Sequence, residues 1–292
     1  MHIRIPPSLD WLRGTPEGAA WLSQLPGLTA EMAGRWQLEL GEPFPTAYVS
    51  LVLPARLEDG REAVLKLSYP HRESAQESLA LRTWNGDGAV RLLAEEPVSH
   101  AMLLERCRPG QTLAEARAPA EALAIFCDLL PRLWRPPETA FRSLDEEARH
   151  WATTLERQWE DSGRAVPRFL VDETLEAIEQ LLVRPGPSVL LDQDLHSRNV
   201  LSAERQPWLV IDPKPLPGER EFSVAPIVRD AALGHSPNLV RWRLRHLCSE
   251  LALDERRARR WALVQTVAWA FDGDQVLPKH VDVANWLASG EV

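Results

Sequence analysis

Apolar and polar positions change period along this chain. Residues 48–53 (YVSLVL) and 63–67 (AVLKL) are extended runs joined across Glu58-Asp59-Gly60-Arg61, the pattern of a β-hairpin. Residues 90–93 and 101–105 add two further strands. Ahead of them, residues 17–37 read as one or two short helices broken at Pro26-Gly27, with Trp21, Leu22 and Leu25 on one side and Met32 and Trp36 on another. A helix over residues 72–84 places Glu73, Glu77 and Leu81 on one face. Arg108-Pro109-Gly110 then breaks the pattern, and the period becomes helical. Ala122, Ile125, Phe126, Leu129 and Leu133 mark one stripe. Leu144, Ala148, Trp151, Leu155 and Trp159 mark a second, opened by the capping-box pattern Ser143-x-x-Glu146. Asp172 is the expected cap of a third helix through Leu175, Ile178 and Leu182, ended by Pro185-Gly186. Residues 254–271 form an amphipathic helix through Trp261, Val264, Ala268 and Phe271. A small sheet first and helices afterwards predict an α+β fold in two lobes, residues 1–106 and 107–292.

Composition narrows the partners. The formal net charge of −9 disfavours general binding to nucleic acid or to an anionic membrane, and suits a cationic ligand. Cys107, Cys127 and Cys248 are widely spaced with no C-x-x-C pair, which predicts reduced thiols in a cytoplasmic protein. No apolar run near the N-terminus resembles a signal peptide or membrane span, so neither secretion nor membrane insertion is expected. The eight histidines include no H-E-x-x-H, which argues against a structural zinc site. Arg256, Arg257, Arg259 and Arg260 read as a solvated helix end rather than a nucleic-acid patch. Only Lys66, Lys214 and Lys279 are lysine among the 33 basic residues, so a lysine inside the strand 63–67 stands out.

The helical period is interrupted once, by SVLLDQDLHSRNVLSAERQPWLVIDPKP at residues 188–215. The apolar run 189–191 leads into a polar loop, and the runs at 200–201 and 208–211 suggest a hairpin. If it turns at residues 204–207, Asn199 falls near Asp212 at the open end. An amide oxygen beside a carboxylate suits a hard cation such as Mg²⁺, which takes few protein ligands and completes its octahedron with phosphates and water. Asp194 projects from the same loop, a carboxylate able to accept a hydroxyl proton. There is neither G-x-G-x-x-G nor G-x-x-x-x-G-K-[ST], which excludes a P-loop nucleotidase. In the turn EPFPTAYVS at residues 42–50, Thr46 and Ser50 are candidate phosphate-binding hydroxyls.

Asp194 with Asn199 resembles the D-x-x-x-x-N loop of the protein-kinase superfamily, and Asp212 resembles its second metal-binding aspartate. The wording DLHSRNVL…VIDPKP is most similar to aminoglycoside phosphotransferases, in particular the streptomycin 6-kinase-like and hydroxyurea-phosphotransferase-like branch. GEPFPTAYVSLVLPARLEDGREAVLKLS, ESLALRTWNGDGAVRLL and MLLERCRPGQTL share that resemblance, which covers most of residues 41–230.

The resemblance implies a bilobal protein-kinase-like fold, with a nucleotide-covering lobe at 1–106 and a helical catalytic and acceptor-binding lobe at 107–292. It implies transfer of the γ-phosphoryl of ATP or GTP, with Mg²⁺, to a hydroxyl of a cationic or polyhydroxylated small molecule, an aminoglycoside such as streptomycin. Lys66 would hold phosphates, positioned by Glu77 or, as the alternative, Glu73; Asp194 would be the base; Asn199 and Asp212 would hold metal. Backbone groups from Glu105 to Cys107 would meet the nucleotide base. Glu219, Glu221, Asp230, Asp272 and Asp274 are an acidic set in or near the acceptor lobe, and Ser223 stands where relatives often have aspartate. His196 is expected to brace the loop, and Lys214 to pair at the surface or, as the alternative, to approach a phosphate or the substrate. Asp192 and Gln193 stand where such enzymes read His-Gly, and Arg198 replaces a small residue, changes that either alter the loop and slow turnover or are neutral. Two alternatives stay open, a kinase for another hydroxylated metabolite and a nucleotide-binding pseudokinase.

Overall fold

The computed structural model describes residues 4–72, 75–137 and 141–289, so Glu73 lies outside the described residues. The chain divides into two compact units, Met1–Gly110 with Ala203–Leu209, and Gln111–Ser202 with Val210–Val292. The first thus runs past residue 106 to Gly110 and takes in a seven-residue piece of the later hairpin.

In the first unit, helix α1 (Pro16–Arg35) begins with Pro16 in its first turn and the Thr15 hydroxyl accepting from the Gly18 N–H. It runs through Pro26 without the expected break. An internal proline costs about 3 kcal/mol, whereas burying Trp21, Leu22, Leu25 and Met32 against the sheet returns roughly 1.5–3 kcal/mol for each large side chain. Burial wins, and both apolar sets serve one core.

Strands β1 (Glu39–Leu40), β2 (Ser50–Arg56) and β3 (Glu62–Ser68) precede α2 (Glu77–Trp84), and β4 (Leu92–Glu96) and β5 (Ala101–Glu105) follow it. They form one antiparallel sheet in the order β1-β2-β3-β5-β4. The β2–β3 turn closes with the Gly60 N–H on the Leu57 carbonyl, Gly60 taking φ +84°. Period-two alternation sends Leu51, Leu53, Leu65 and Leu67 into the core with α1, and therefore Lys66 to the opposite face.

The second unit is mainly helical. Helices α3 (Leu113–Ala116), α4 (Pro119–Leu133), α5 (Leu144–Asp161) and α6 (Arg168–Val183) come first. The Ser143–Glu146 capping box is formed, hydroxyl to N–H at 3.2 Å and carboxylate to N–H at 2.7 Å. Helix α6 starts after Pro167, a turn before the expected cap; Asp172 is inside it and holds Arg168 by side-chain hydrogen bonds.

Strands β6 (Ser188–Asp192), β7 (Val200–Ser202), β8 (Trp208–Val210) and β9 (Pro215–Glu219) carry the central segment, and α7 (Ala225–Arg229), α8 (Pro237–Leu251) and α9 (Glu255–Ala268) follow. The short strands β10 (Phe271–Asp272) and β11 (Gln275–Val276) lead into α10 (Pro278–Ala288). Strand β9 was hidden by its prolines, yet β6 pairs with it, Asp192 opposite Pro215 and Leu190 opposite Pro217.

Helix α9 is not amphipathic in its second half: Trp261 through Ala268 are all buried, including the polar Gln265 and Thr266. It runs through the core, where Phe222 meets Trp261 edge-on and stacks with Trp151. Arg257 and Arg259 also turn inward, to Glu219 and the Leu181 carbonyl and to the Leu287 carbonyl, so only part of the arginine run is a solvated end. Among the described residues no helix is long and apolar enough to cross a membrane.

Candidate active site

In the first unit, Lys66 pairs across the sheet with Val52 and Met102 and is almost wholly buried. Its Nζ donates to both carboxylate oxygens of Glu77 at 2.6 Å, from the first residue of α2. A buried ammonium in a strand needs such a partner, because unpaired it would be forced neutral. Ser50 is buried with its hydroxyl donating to the Ser68 hydroxyl, while Thr46 is exposed.

At the end of β5 the Glu105 N–H donates to the Arg91 carbonyl, and the carboxylate accepts from Arg205 at 2.7 and 2.8 Å and from the Arg91 N–H. Burial works against ionisation of Glu105, but these donors hold its pKa below the usual value. Arg205 also donates to the Gly86 and Ala89 carbonyls, which fastens the tip Ala203–Leu209 into this unit. Arg205 passed unnoticed in the sequence as one arginine of a polar turn. Cys107 is buried, and burial pushes its thiol up to about 12, so it stays neutral. Gly110 at φ +77° lets the chain pass the Cys107 carbonyl, which a side chain there would crowd.

The second unit assembles the loop. Leu195 is buried and anchors it. The Asn199 Nδ2 donates to the Asp194 carbonyl at 3.1 Å, and the Ile211 N–H donates to the Asn199 carbonyl at 2.9 Å. That register sets Asn199 beside Asp212, as the symmetric hairpin predicts. Asp212 takes φ +51°, a left-handed conformation that aspartate tolerates better than most residues and that marks a constrained position. With Nδ2 engaged, the Asn199 Oδ1 and the Asp212 carboxylate are an amide and a carboxylate oxygen of the kind Mg²⁺ takes.

Around Asp194 the structure gathers Lys214 with two groups the sequence did not single out, Arg229 and Trp269. Lys214 donates to its Oδ2 at 2.5 Å, and Arg229 lies 3.8 Å from Oδ1. Both cations lie over the Trp269 ring, 5.5 and 4.4 Å from its centroid. Lys214 is therefore a loop partner and not a surface pair. His196 accepts the Arg198 N–H on Nδ1, and burial lowers its pKa, so it braces the loop as a neutral ring. The Arg198 side chain is exposed.

The acidic set does not act together. Asp230 accepts the Ser197 N–H and hydroxyl at 2.8 and 2.5 Å, and Glu219 is buried on Arg257, Trp261 and the Gly186 N–H. Both are structural; their hydrogen-bonding partners lie too far along the chain for spacing to reveal. Asp272 and Asp274 are exposed, and Ser223 donates to the Arg220 carbonyl.

Residues 35–274 match the family model described as aminoglycoside/hydroxyurea antibiotic resistance kinase. The chain belongs to that family. It is 36% identical to streptomycin 6-kinase of Streptomyces griseus over 98% of both chains. It is 39% identical to hydroxyurea phosphotransferase of Kitasatospora aureofaciens, covering 94% of this chain and 82% of the relative. The fold is similar to a thermostable mutant of an aminoglycoside phosphotransferase solved with ADP and hygromycin B, at TM-score 0.61 and 14% identity, covering 90% of this chain and 98% of that one. This antibiotic resistance kinase has the α+β protein-kinase-like fold and is a small-molecule phosphotransferase that uses a nucleotide.

Proposed function

We propose that this kinase transfers the γ-phosphoryl of ATP or GTP, with Mg²⁺, to a hydroxyl of streptomycin or a close aminoglycoside. The observation that carries the acceptor is the similarity to streptomycin 6-kinase along 98% of both chains. The 39% identity to hydroxyurea phosphotransferase favours a second reading, in which a smaller hydroxylated molecule is the acceptor.

In this mechanism Lys66, held by Glu77, presents a fixed ammonium to the α- and β-phosphates. The hinge backbone from Glu105 to Cys107 is assigned to the nucleotide base through groups other than the Glu105 N–H, which Arg91 occupies. Asp194 orients the acceptor hydroxyl and takes its proton as the new O–P bond forms and the bond to the β,γ-bridging oxygen breaks. Lys214 and Arg229, on the two oxygens of Asp194, supply positive charge where the phosphoryl oxygens gather it. Asn199 and Asp212 would hold Mg²⁺, which when bound neutralises phosphate charge.

The test is Asp212→Ala. Transfer falls by at least about 10²-fold while the thermal melt keeps its shape; undiminished turnover would reject the metal assignment. An acceptor panel of streptomycin, hydroxyurea, a simple sugar and an amino alcohol then separates the readings. Nucleotide binding without transfer to any of them indicates a pseudokinase.

A further inference from the structure

Resting on that phosphotransferase reading, we propose that Asp192 is a positioning residue that holds the base Asp194 and the cation Lys214 in one fixed relation. A single oxygen does this: Oδ1 of Asp192 accepts the Asp194 N–H at 3.0 Å and the Lys214 N–H at 2.9 Å. The two amides come from segments twenty residues apart, and they belong to the two residues whose side chains meet at 2.5 Å.

The need for this clamp follows from the ladder. Asp192 is the last residue of β6 and stands opposite Pro215, which has no N–H to give. Beyond that rung the backbone contributes the Gln193 N–H to the Lys214 carbonyl at 3.0 Å, and the Lys214 N–H turns to the Asp192 side chain. From the other direction Gln265 of α9 donates its amide to the Gln193 carbonyl at 2.6 Å. Residues 192 and 193 therefore tie the loop to both the segment after Asp212 and the core helix through the Asp192 side chain and the Gln193 backbone.

The chemistry of the carboxyl agrees with the geometry. Asp192 is buried, its Oδ2 has no hydrogen-bond partner among the described residues, and burial pushes its pKa up to about 7, the two N–H donors opposing. A proton on Oδ2 leaves Oδ1 as a carbonyl-type acceptor for both amides. Asparagine offers the same acceptor and alanine offers none. Asp192 does not itself meet substrate; it acts through the backbone of residues that do.

The experiment is steady-state kinetics of the full chain with Mg²⁺, ATP and streptomycin, and with hydroxyurea in parallel. Asp192→Ala is expected to lower kcat about 10- to 100-fold, the scale of an ångström-sized misplacement, with both KM values within about threefold of wild type. Asp192→Asn is expected to recover most of that loss. A kcat for Asp192→Ala within about threefold of wild type, or an Asp192→Asn as slow as the alanine variant, overturns the proposal while leaving the kinase reading intact. A wild-type chain that transfers phosphate to neither acceptor removes the basis of both.

Should Asp192→Ala fail to fold, amide hydrogen exchange of the wild type decides. Slow exchange at both the Asp194 and Lys214 amides supports the clamp, and fast exchange at either one overturns it.

Discussion

Asp192 keeps an acidic group buried and close to neutral, and its stability effect has a definite sign. Its folded pKa, about 7, lies above the ordinary 3.8. The unfolded chain therefore releases this proton at lower pH than the folded one, and stability from this group, fully present below about pH 4, is lost as pH rises towards 7. One such group contributes a slope of at most about 1.4 kcal/mol per pH unit in that window. Asp192→Asn should flatten the stability profile between pH 4 and 7, measured by urea unfolding; an unchanged slope would place the titration elsewhere. Single residues were legible in the sequence to the extent that their chemistry was unusual for their place. A lysine in an apolar strand and an aspartate five positions before an asparagine stood out, whereas Arg229 and Arg205 did not, because an arginine's partner is set by tertiary approach and not by spacing.

Helix α8 contributes a fully buried arginine to the segment that carries Arg229 and Asp230. Arg243 donates to the Val228 carbonyl through Nε and Nη2, and to the Leu233 and Gly234 carbonyls through Nη1. Burial lowers its pKa to about 10, with Asp230 opposing, so it remains charged at neutral pH. Removing the guanidinium in Arg243→Met leaves those carbonyls buried without donors, at a cost of about 3–5 kcal/mol. The same variant should slow turnover as Arg229 and Asp230 lose their footing on the loop. Chemical denaturation and kcat together check this, and a loss below about 1 kcal/mol would contradict it. At this scale the sequence conveyed the elements that rest on period and capping, such as the β2–β3 hairpin and α5. It failed where burial overrode a local breaker: Pro26 within α1, Pro215 and Pro217 within β9, and the polar Gln265 and Thr266 within the buried stretch of α9.

For the molecule as a whole, the order of a small sheet followed by helices was enough to predict the α+β class, since each element must cover its apolar side against the next. The structure assigns Ala203–Leu209 to the first unit although the chain on either side of it belongs to the second. No periodicity could announce that exchange, which depends on the Arg205 bonds to Glu105, Gly86 and Ala89. The acidic balance of −9 is compatible with a cationic acceptor, but Glu219 and Asp230 are engaged inside the fold, so net charge is a poor guide to which acids would meet it.

Whether Asp194 is the base in phosphoryl transfer to an aminoglycoside hydroxyl is read by following the label from γ-³²P-ATP into streptomycin with Mg²⁺ present. Labelled phosphoester is expected with the wild-type chain, and a rate lower by about 10²- to 10⁴-fold for Asp194→Asn. Labelling of streptomycin at an undiminished rate by Asp194→Asn, or none by the wild type under conditions where it binds ATP, would contradict that role.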